Sequence, residues 1–155
     1  MQLAYLADHP LHLPTLAVWH YAQWGHLNAG ETLQGRIERL RQHVGKPAIP
    51  TTVIALEGEL LLGSASVVGN DLRTHPHLSP FLASVYVAPE FRRRGIASAL
   101  VREIMHLAHQ LAFPTLYLIT PDQQRLYASL GWAAQEEVEY RGEWVTVMTA
   151  DLAKV

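Results

Sequence analysis

The residues best suited to chemistry lie where an apolar stretch turns into a helix-forming one. Residues 85–87 are apolar, the basic triplet at 92–94 follows, and Gly95 then opens an amphipathic stretch. The first N–H groups of a helix lack intrahelical partners, and the helix dipole adds positive potential at that end. Gly95 has no Cβ, so an anion can approach the backbone closely. The junction therefore predicts a phosphate site, although a solvated basic turn is the alternative.

The same junction carries a recognisable motif. Arg92, Gly95 and Ala97 spell Arg-x-x-Gly-x-Ala, which resembles the acyl-CoA signature of the GCN5-related N-acetyltransferase (GNAT) superfamily, Gln/Arg-x-x-Gly-x-Gly/Ala. In that superfamily the loop amides hold the pyrophosphate of acetyl-CoA, and the preceding strand pairs with the pantetheine arm. The resemblance implies acetyl-CoA as co-substrate. It assigns pantetheine to the main chain of Val85 and Val87, and the pyrophosphate to Arg92, Arg93, Arg94, Gly95, Ile96, Ala97 and Ser98.

A second motif lies about 30 residues beyond Ala97. Tyr127, Gly131 and Trp132 resemble the superfamily signature Leu/Phe-Tyr-x-x-x-Gly-Phe/Trp. There the tyrosine protonates the departing CoA thiolate, so the resemblance implies Tyr127 as general acid. A thiol pKa near 8.5 and a tyrosine pKa near 10 make this transfer feasible. From the residues alone, a tyrosine packed between helix and sheet is the alternative.

The residue that takes the proton from the amine is less clear. Some members of the superfamily use a glutamate at the position of Phe81, which has no basic group. Ser84 or Tyr86 could order a water that carries the proton, and His75 or His77 could reach in from the preceding loop. These alternatives remain open on the sequence.

Two further CoA contacts follow from the resemblance. A backbone N–H near Val87 could polarise the thioester carbonyl, as in an oxyanion hole. Thr120 stands where many relatives have an asparagine that contacts CoA. Its hydroxyl could bind CoA or could cap the helix that follows.

The acceptor pocket is expected near the first helices and the strand-end loops. Its candidate residues are Trp19, Tyr21, Trp24 and the loop 71–80, although both tryptophans could instead anchor the core. Three carboxylates could attract a cationic amine or could line a solvated edge strand, namely Glu136, Glu137 and Glu139.

Nine histidines raise the question of a metal. The closest pairs are His75 with His77 and His106 with His109, but no acidic or cysteine ligand completes a spaced set, so we expect no metal site. Five histidines have no assigned role, namely His9, His12, His20, His26 and His43.

The elements that position these residues follow from periodicity and capping signals. We expect a short strand at 3–6, helices at 14–24 and 33–44 with a capping box from Asn28 to Glu31, a hairpin at 51–56 and 60–68, and a strand at 81–87. A helix from Ile96, a strand at 116–119, a short helix capped by Thr120, and a hairpin at 136–140 and 144–149 complete the chain. The order β-α-α-β-β-β-α-β-α-β-β resembles the GNAT fold. The predicted class is α/β (α+β), with a mixed, mostly antiparallel sheet of about seven strands and helices on both faces.

Length and composition narrow the function further. The 155 residues predict one acetyltransferase domain, 1–155, and a net charge of −2 argues against nucleic acid as a partner. Without cysteine there is no disulfide and no thiolate nucleophile. No apolar run suggests a leader or a membrane anchor, so we expect a cytoplasmic protein without a membrane partner. The oligomeric state is not fixed, and a homodimer stays open.

The sequence therefore predicts an N-acetyltransferase that moves the acetyl group of acetyl-CoA to a primary amine of a small molecule or a protein. The reaction would be direct attack, without a covalent enzyme intermediate. The alternative is a catalytically weak or inactive acyl-CoA-binding or interaction module, which the lack of a glutamate at Phe81 favours. A nucleotide-binding protein is disfavoured because no Gly-x-x-x-x-Gly-Lys motif occurs.

Overall fold

A computed structural model describes the whole chain, residues 1–155. Its strands are β1 (Gln2–Tyr5), β2 (Thr51–Glu57), β3 (Leu60–Val68), β4 (Phe81–Val87), β5 (Thr115–Thr120), β6 (Ala133–Tyr140) and β7 (Glu143–Asp151). The α-helices are α1 (Leu13–Trp24), α2 (Leu33–Arg41), α3 (Ile96–Gln110) and α4 (Gln124–Ser129). The predicted order of elements is confirmed.

All seven strands form one sheet in the order β1-β2-β3-β4-β5-β7-β6. Every neighbouring pair is antiparallel except β4 and β5, which are parallel and share a single register pair, Phe81 with Tyr117. The two strands diverge beyond that pair, so the sheet opens in its middle. The predicted mixed, mostly antiparallel sheet is confirmed.

Alternation along the strands divides the core between two faces. On β2, Val53 and Ala55 pack with α3 in the larger apolar cluster, whereas Ile54 and Leu56 pack with α1 and α2 in a second cluster. A third cluster forms around Phe81 and includes Leu72 and Val147. Helices cover both faces of the sheet, as predicted.

Two helix boundaries differ from the prediction. The helix α2 is capped by Thr32, whose Oγ1 accepts from Gly35 N at 3.0 Å, so the capping box from Asn28 to Glu31 is wrong. Asn28 bonds the Glu31 side chain instead. This helix ends at Arg41 rather than at Val44, which forms an isolated bridge with Thr51.

The short helix α4 also begins later than its sequence suggests. Thr120 is the last residue of β5, and the helix begins at Gln124. The Thr120 hydroxyl accepts from Gln123 N at 3.0 Å, so it caps the turn between strand and helix. None of the helices combines the length and the apolar character that crossing a bilayer requires.

Candidate functional site

A cleft of about 1520 Å³ occupies the opening between β4 and β5. One part is lined by the junction between β4 and α3 and by Thr120 and Tyr127. The other part is lined by residues of α2, of the loop after β3 and of the turn between β6 and β7. The divergence of the two strands therefore gathers residues that are far apart in sequence around one space.

The β4–α3 junction presents a run of free backbone donors to this cleft. None of the N–H groups from Arg93 to Ser98 has an acceptor within the chain, and the first bond of this segment is Ala99 N to Gly95 O at 3.1 Å. Arg93 and Gly95 have positive φ values of 66° and 77°, which turn the chain sharply. Consecutive free N–H groups next to left-handed residues form an anion-binding nest. The junction is therefore built to bind an anion through its backbone.

Gly95 leaves room for such an anion. A Cβ built at Gly95 would meet no atom within 4 Å, so the space beside it belongs to the cleft. A side chain there would be strained by the positive φ and would fill the space next to the free N–H groups.

The three arginines of the junction differ in their roles. Arg92 is exposed, but its Nε donates to the carbonyl oxygen of Val87 at 2.9 Å and its guanidinium lies 5.8 Å from the Tyr86 ring centre. Arg93 lines the cleft. Arg94 lies outside the cleft lining, with its guanidinium over the Phe91 ring at 5.6 Å. The backbone of the junction thus faces the cleft more completely than its charged side chains do.

The end of β4 offers main-chain groups on its open side. Ala88 N donates to Leu62 O at 3.0 Å on the β3 side. By alternation the N–H and C=O of Val87 point to the other edge, from which β5 has diverged. Val85 lines the same cleft. The carbonyl oxygen of Val87 already accepts from Arg92 Nε, and the N–H of Val87 is left for an extended ligand that pairs with β4.

A bulge in β4 bends the strand at the cleft. Ser64 pairs with Tyr86 and Ser66 pairs with Ala83, so Ser84 and Val85 together oppose one residue of β3. Ser84 has a φ of 54°, which is unusual for a residue with a side chain. Bulges of this kind re-aim a strand beside a functional site.

A buried chain of hydrogen bonds supports the bulge. The Ser64 hydroxyl donates to the carbonyl oxygen of Ser84 at 3.2 Å, and His20 Nε2 lies 2.9 Å from Ser64 Oγ. Because the single hydroxyl proton goes to Ser84, Nε2 of His20 must carry the proton that Ser64 accepts. Burial lowers the pKa of His20 to about 3, and Arg36 and His43 add to the effect. His20 is therefore a neutral donor in the core.

Tyr127 borders the cleft from α4. Its ring is buried with 7% exposure and packs edge-on to Trp132 at 6.0 Å. Its hydroxyl makes no hydrogen bond within the chain. Burial raises the pKa of Tyr127 to about 12, with Asp122 contributing. The hydroxyl therefore stays protonated at neutral pH and is free to donate to a molecule in the cleft.

The residues predicted as possible proton acceptors lie in different parts of the structure. Phe81 is fully buried, whereas Ser84 and Tyr86 line the cleft. His75 Nε2 binds Glu136 Oε1 at 2.7 Å, and His77 stacks on His75 at 6.1 Å. Neither histidine lines the cleft. Of these candidates, only Ser84 and Tyr86 line the cleft.

Only some of the residues predicted to bind the acceptor amine line the cleft. Trp24 lines it, whereas Trp19 packs against Tyr86 at 5.6 Å outside the lining and Tyr21 is exposed. From the loop 71–80 only Asp71 and Arg73 take part. The acidic residues of β6 do not take part, because Glu136 and Glu137 line a separate shallow pocket and Glu139 lines neither.

Sequence reasoning missed most of the charged residues at the cleft. We call the charged group on the α2 side of the cleft the acceptor end, and it consists of Glu31, Arg36, Arg39, Asp71, Arg73 and Arg141. Arg141 Nη1 donates to Asn28 Oδ1 at 3.2 Å, and Arg73 N donates to the Tyr140 hydroxyl at 3.2 Å. No spacing signal could have joined these residues, because their contacts span up to 113 positions of sequence.

Burial alters the ionisation of this group. It lowers the pKa of Arg36 and Arg39, but an arginine pKa starts so high that both stay charged. It raises the pKa of Asp71 to about 6, although Arg141, Arg36 and Arg39 all favour the ionised carboxylate. At neutral pH Asp71 is therefore mainly ionised. No group of three or more potential metal ligands occurs in the structure.

Comparison with known families and structures gives a consistent result. The model of the acetyltransferase (GNAT) family matches residues 13–132. An aminoglycoside 6'-N-acetyltransferase complexed with coenzyme A is 13% identical, with 98% of this chain and 97% of that chain covered and a TM-score of 0.77. A ribosomal-protein-alanine N-acetyltransferase from Brucella melitensis is 18% identical, with 97% and 99% covered and a TM-score of 0.75.

A candidate acetyltransferase from Salmonella typhimurium, solved with its cofactor acetyl-CoA, is 18% identical, with 98% and 94% covered and a TM-score of 0.71. At these identities the likeness concerns the fold. No sequence among curated proteins matches the chain significantly.

Proposed function

The chain belongs to the acetyltransferase (GNAT) family, and from this premise we propose that it transfers the acetyl group of acetyl-CoA to a primary amine. The observation that carries the proposal is the cleft between β4 and β5. It brings the free N–H groups from Arg93 to Ser98 and the free hydroxyl of Tyr127 to one space. Relatives in fold were solved with coenzyme A or acetyl-CoA, which supports the choice of co-substrate.

The residues of the junction fit the phosphate part of acetyl-CoA. Free backbone donors suit a pyrophosphate, and the absence of a Cβ at Gly95 leaves room for it. The open edge of β4 at Val85 and Val87 suits the amide groups of the pantetheine arm, and Arg92 and Arg93 add positive charge. The Thr120 hydroxyl already accepts a bond from Gln123 N, and its own proton and a second lone pair remain for a ligand.

Acetyl-CoA supplies an acetyl group that is activated as a thioester. The neutral amine attacks the carbonyl carbon, a C–N bond forms, and the C–S bond breaks. Tyr127 donates its proton to the departing sulfur and later recovers one from the amide nitrogen through solvent. The ammonium form of the amine loses its first proton through a water held by Ser84 or Tyr86. Overall, ammonium and thioester give amide, thiol and one proton.

Thiol release tests the proposal directly. We expect the protein, mixed with acetyl-CoA and a panel of primary amines, to liberate free thiol in proportion to acetylated amine. Calorimetry with coenzyme A, which has no acetyl group, measures binding separately. Binding of coenzyme A without thiol release on any amine would instead identify an acyl-CoA-binding module. No binding at all would overturn both functions.

A further inference from the structure

The acceptor end contains charged groups that form ion pairs and charged groups that do not. The Glu31 side chain is only 3% exposed and is shared by Arg36, at 2.9 Å from Nε, and by Arg39. The two guanidinium groups and the one carboxylate hold one another in place and together carry one net positive charge.

Three other charges have no partner of opposite sign in contact. Arg73 and Arg141 form no ion pair with any carboxylate of the chain. Arg141 is held in position by Asn28 and by the ring of Tyr140, 4.7 Å from its guanidinium. Asp71 lies among these groups, half-buried, and makes neither an ion pair nor a side-chain hydrogen bond.

Asp71 is half-buried, Arg73 and Arg141 are exposed, and all three lack a partner of opposite charge within the chain. A ligand that supplies these partners would form charge-assisted hydrogen bonds with all three. The complementary ligand has a cationic group for Asp71 and an anionic group for the arginines. Guanidinium groups bind carboxylates with particular strength because two parallel N–H bonds can form.

Resting on the proposed function, we propose that the acceptor is a small zwitterionic amine of the amino-acid type. Its ammonium group binds Asp71, and its carboxylate binds Arg73 and Arg141, all three of which line the cleft. Trp24 and Tyr86, which also line the cleft, contact the rest of the molecule. The carboxylate takes no part in the reaction and serves only to select and orient the amine.

The charges argue against the other acceptor classes. A polycation would bring several ammonium groups towards Arg73 and Arg141, and like charges in close contact cost several kcal/mol. The amino group of a protein would reach the cleft attached to a neutral peptide bond, which leaves both guanidinium groups without an anion.

The test compares each α-amino acid with its own α-carboxamide, which differs by one negative charge. Binding is measured by calorimetry without acetyl-CoA, so the result does not depend on turnover. We expect at least one amino acid to bind roughly tenfold or more tightly than its amide, as loss of a charged hydrogen bond predicts. Amides that bind as well as the acids would overturn the proposal and indicate a peptide amine. Preferential binding of kanamycin, a polycation, would overturn it as well.

Substitutions test which residue binds each charged group of the ligand. Arg73→Gln and Arg141→Gln should each weaken binding of the acid roughly tenfold and leave binding of the amide unchanged. Asp71→Asn should weaken both, because both ligands carry the ammonium group. Arg102→Gln, an exposed position on α3 outside the cleft, is the matched control. Equal losses for acid and amide in the two arginine variants would contradict the assignment.

The two proposals fail in different ways. If thiol is released on amines without a carboxylate and the acids do not bind, acetyl transfer stands and the acceptor assignment is wrong. If acids bind selectively but no amine releases thiol, the acceptor site stands and the proposed activity is wrong.

Discussion

At the scale of single residues, burial sets what each polar group can do. Tyr127 has a raised pKa of about 12, so its hydroxyl stays protonated across the physiological range and can donate a hydrogen bond, although it is a weaker acid than an exposed tyrosine. His20 has a lowered pKa of about 3, so its ring is a neutral hydrogen-bond donor. Desolvation drives both shifts because it disfavours the charged form of either group. Tyr127 therefore keeps its hydroxyl proton, and His20 supports the backbone of β4 through its bond to Ser64.

Replacing Tyr127 by phenylalanine removes the proposed acid while the ring stays in place. We expect Tyr127→Phe to lower kcat by about 100-fold, at the lower end of general acid catalysis, with little change in affinity for coenzyme A. Steady-state kinetics and calorimetry measure the two quantities. Tyr117→Phe, on β5 outside the cleft, is the control and should retain full turnover. Unchanged turnover in Tyr127→Phe would remove it as the acid.

The buried His20 makes the stability depend on pH in a defined direction. As pH falls below about 6.5, the unfolded chain binds a proton at His20 and the folded chain does not, until its pKa of about 3. Stability is therefore lost on acidification. His43, with a pKa lowered to about 4, acts in the same direction, whereas Asp71, with a pKa raised to about 6, acts in the opposite one.

His20→Gln isolates the contribution of His20, because glutamine retains an N–H donor but does not titrate. Between pH 7.5 and pH 5.5 the wild type should lose about 1 kcal/mol more unfolding free energy than the variant. Urea unfolding at the two pH values measures this difference. Identical pH dependence of the two proteins would show that His20 is not buried as a neutral ring.

At the scale of elements, the site depends on where β4 is held. The strand pairs with β3 along its length, bulges at Ser84, and leaves β5 after one pair. Its end then continues through a tight turn into α3, whose first N–H groups face the cleft. The geometry of a strand, a bulge and a helix start thus creates the binding surface, and small residues make the close contacts feasible.

Gly95→Glu tests the anion site at the junction. The carboxylate would lie beside the free N–H groups and repel a pyrophosphate, so we expect affinity for coenzyme A to fall about 100-fold or more. Gly58→Glu in the β2–β3 turn is a matched control, since Gly58 also has a positive φ, of 61°, and open space around it. Calorimetry should detect wild-type affinity for coenzyme A in Gly58→Glu. Wild-type affinity in Gly95→Glu would refute the assignment of the junction.

Gly63→Ala tests the close approach of β3 to β4. A Cβ at Gly63 would lie 2.4 Å from the carbonyl oxygen of Tyr86, which is backbone and cannot move aside alone. We expect a loss of about 1–3 kcal/mol in unfolding free energy, as for an overpacked core. Gly69→Ala, with no atom within 4 Å and no positive φ, should be nearly neutral. Equal unfolding curves for the two variants would contradict the close approach of β3 to β4 at Gly63.

At the scale of the whole molecule, the sheet consists of two parts joined at a narrow point. The strands β1 to β4 pair continuously, as do β5, β7 and β6, but a single register pair joins β4 to β5. The helix α3 packs on β2, β3 and β4 and connects to β5 through one turn. A ligand that fills the opening would contact both parts and stabilise their arrangement.

We therefore expect coenzyme A to raise the melting temperature. At a concentration 100 times its Kd the stabilisation is about 2.7 kcal/mol, or about 5–10 °C for a chain of this size. Pantetheine, which lacks the pyrophosphate, should give a smaller shift that Gly95→Glu leaves unchanged, whereas Gly95→Glu should reduce the shift with coenzyme A to about 1 °C or less at that concentration. Differential scanning calorimetry measures these shifts. A shift with pantetheine equal to that with coenzyme A would contradict binding of the pyrophosphate.

Much of the fold and of the co-substrate site was predictable from the sequence, because both rest on local signals. The strand Phe81–Val87 matched its apolar run, and Gly95 marked the start of α3. The N-cap residues of α2 and α4 were less predictable. Thr32 caps α2 where Asn28 was expected, and Gln123 stands at the N-cap of α4 where Thr120 was expected. Several nearby polar residues can accept the same N–H groups, so the sequence does not single out one of them.

The sequence by itself determined the family, the order of elements and the positions of the two motifs, because each is encoded within a short segment. Only the tertiary structure decided the acceptor end. Asp71 and Arg73 come from the loop after β3 and Arg141 from the β6–β7 turn, and they line one cleft because β4 and β5 diverge and the β6–β7 turn lies close to Asn28 before α2. Such long-range contacts leave no periodic trace in a single sequence, so the charges that we propose to select the acceptor became visible only in the folded chain.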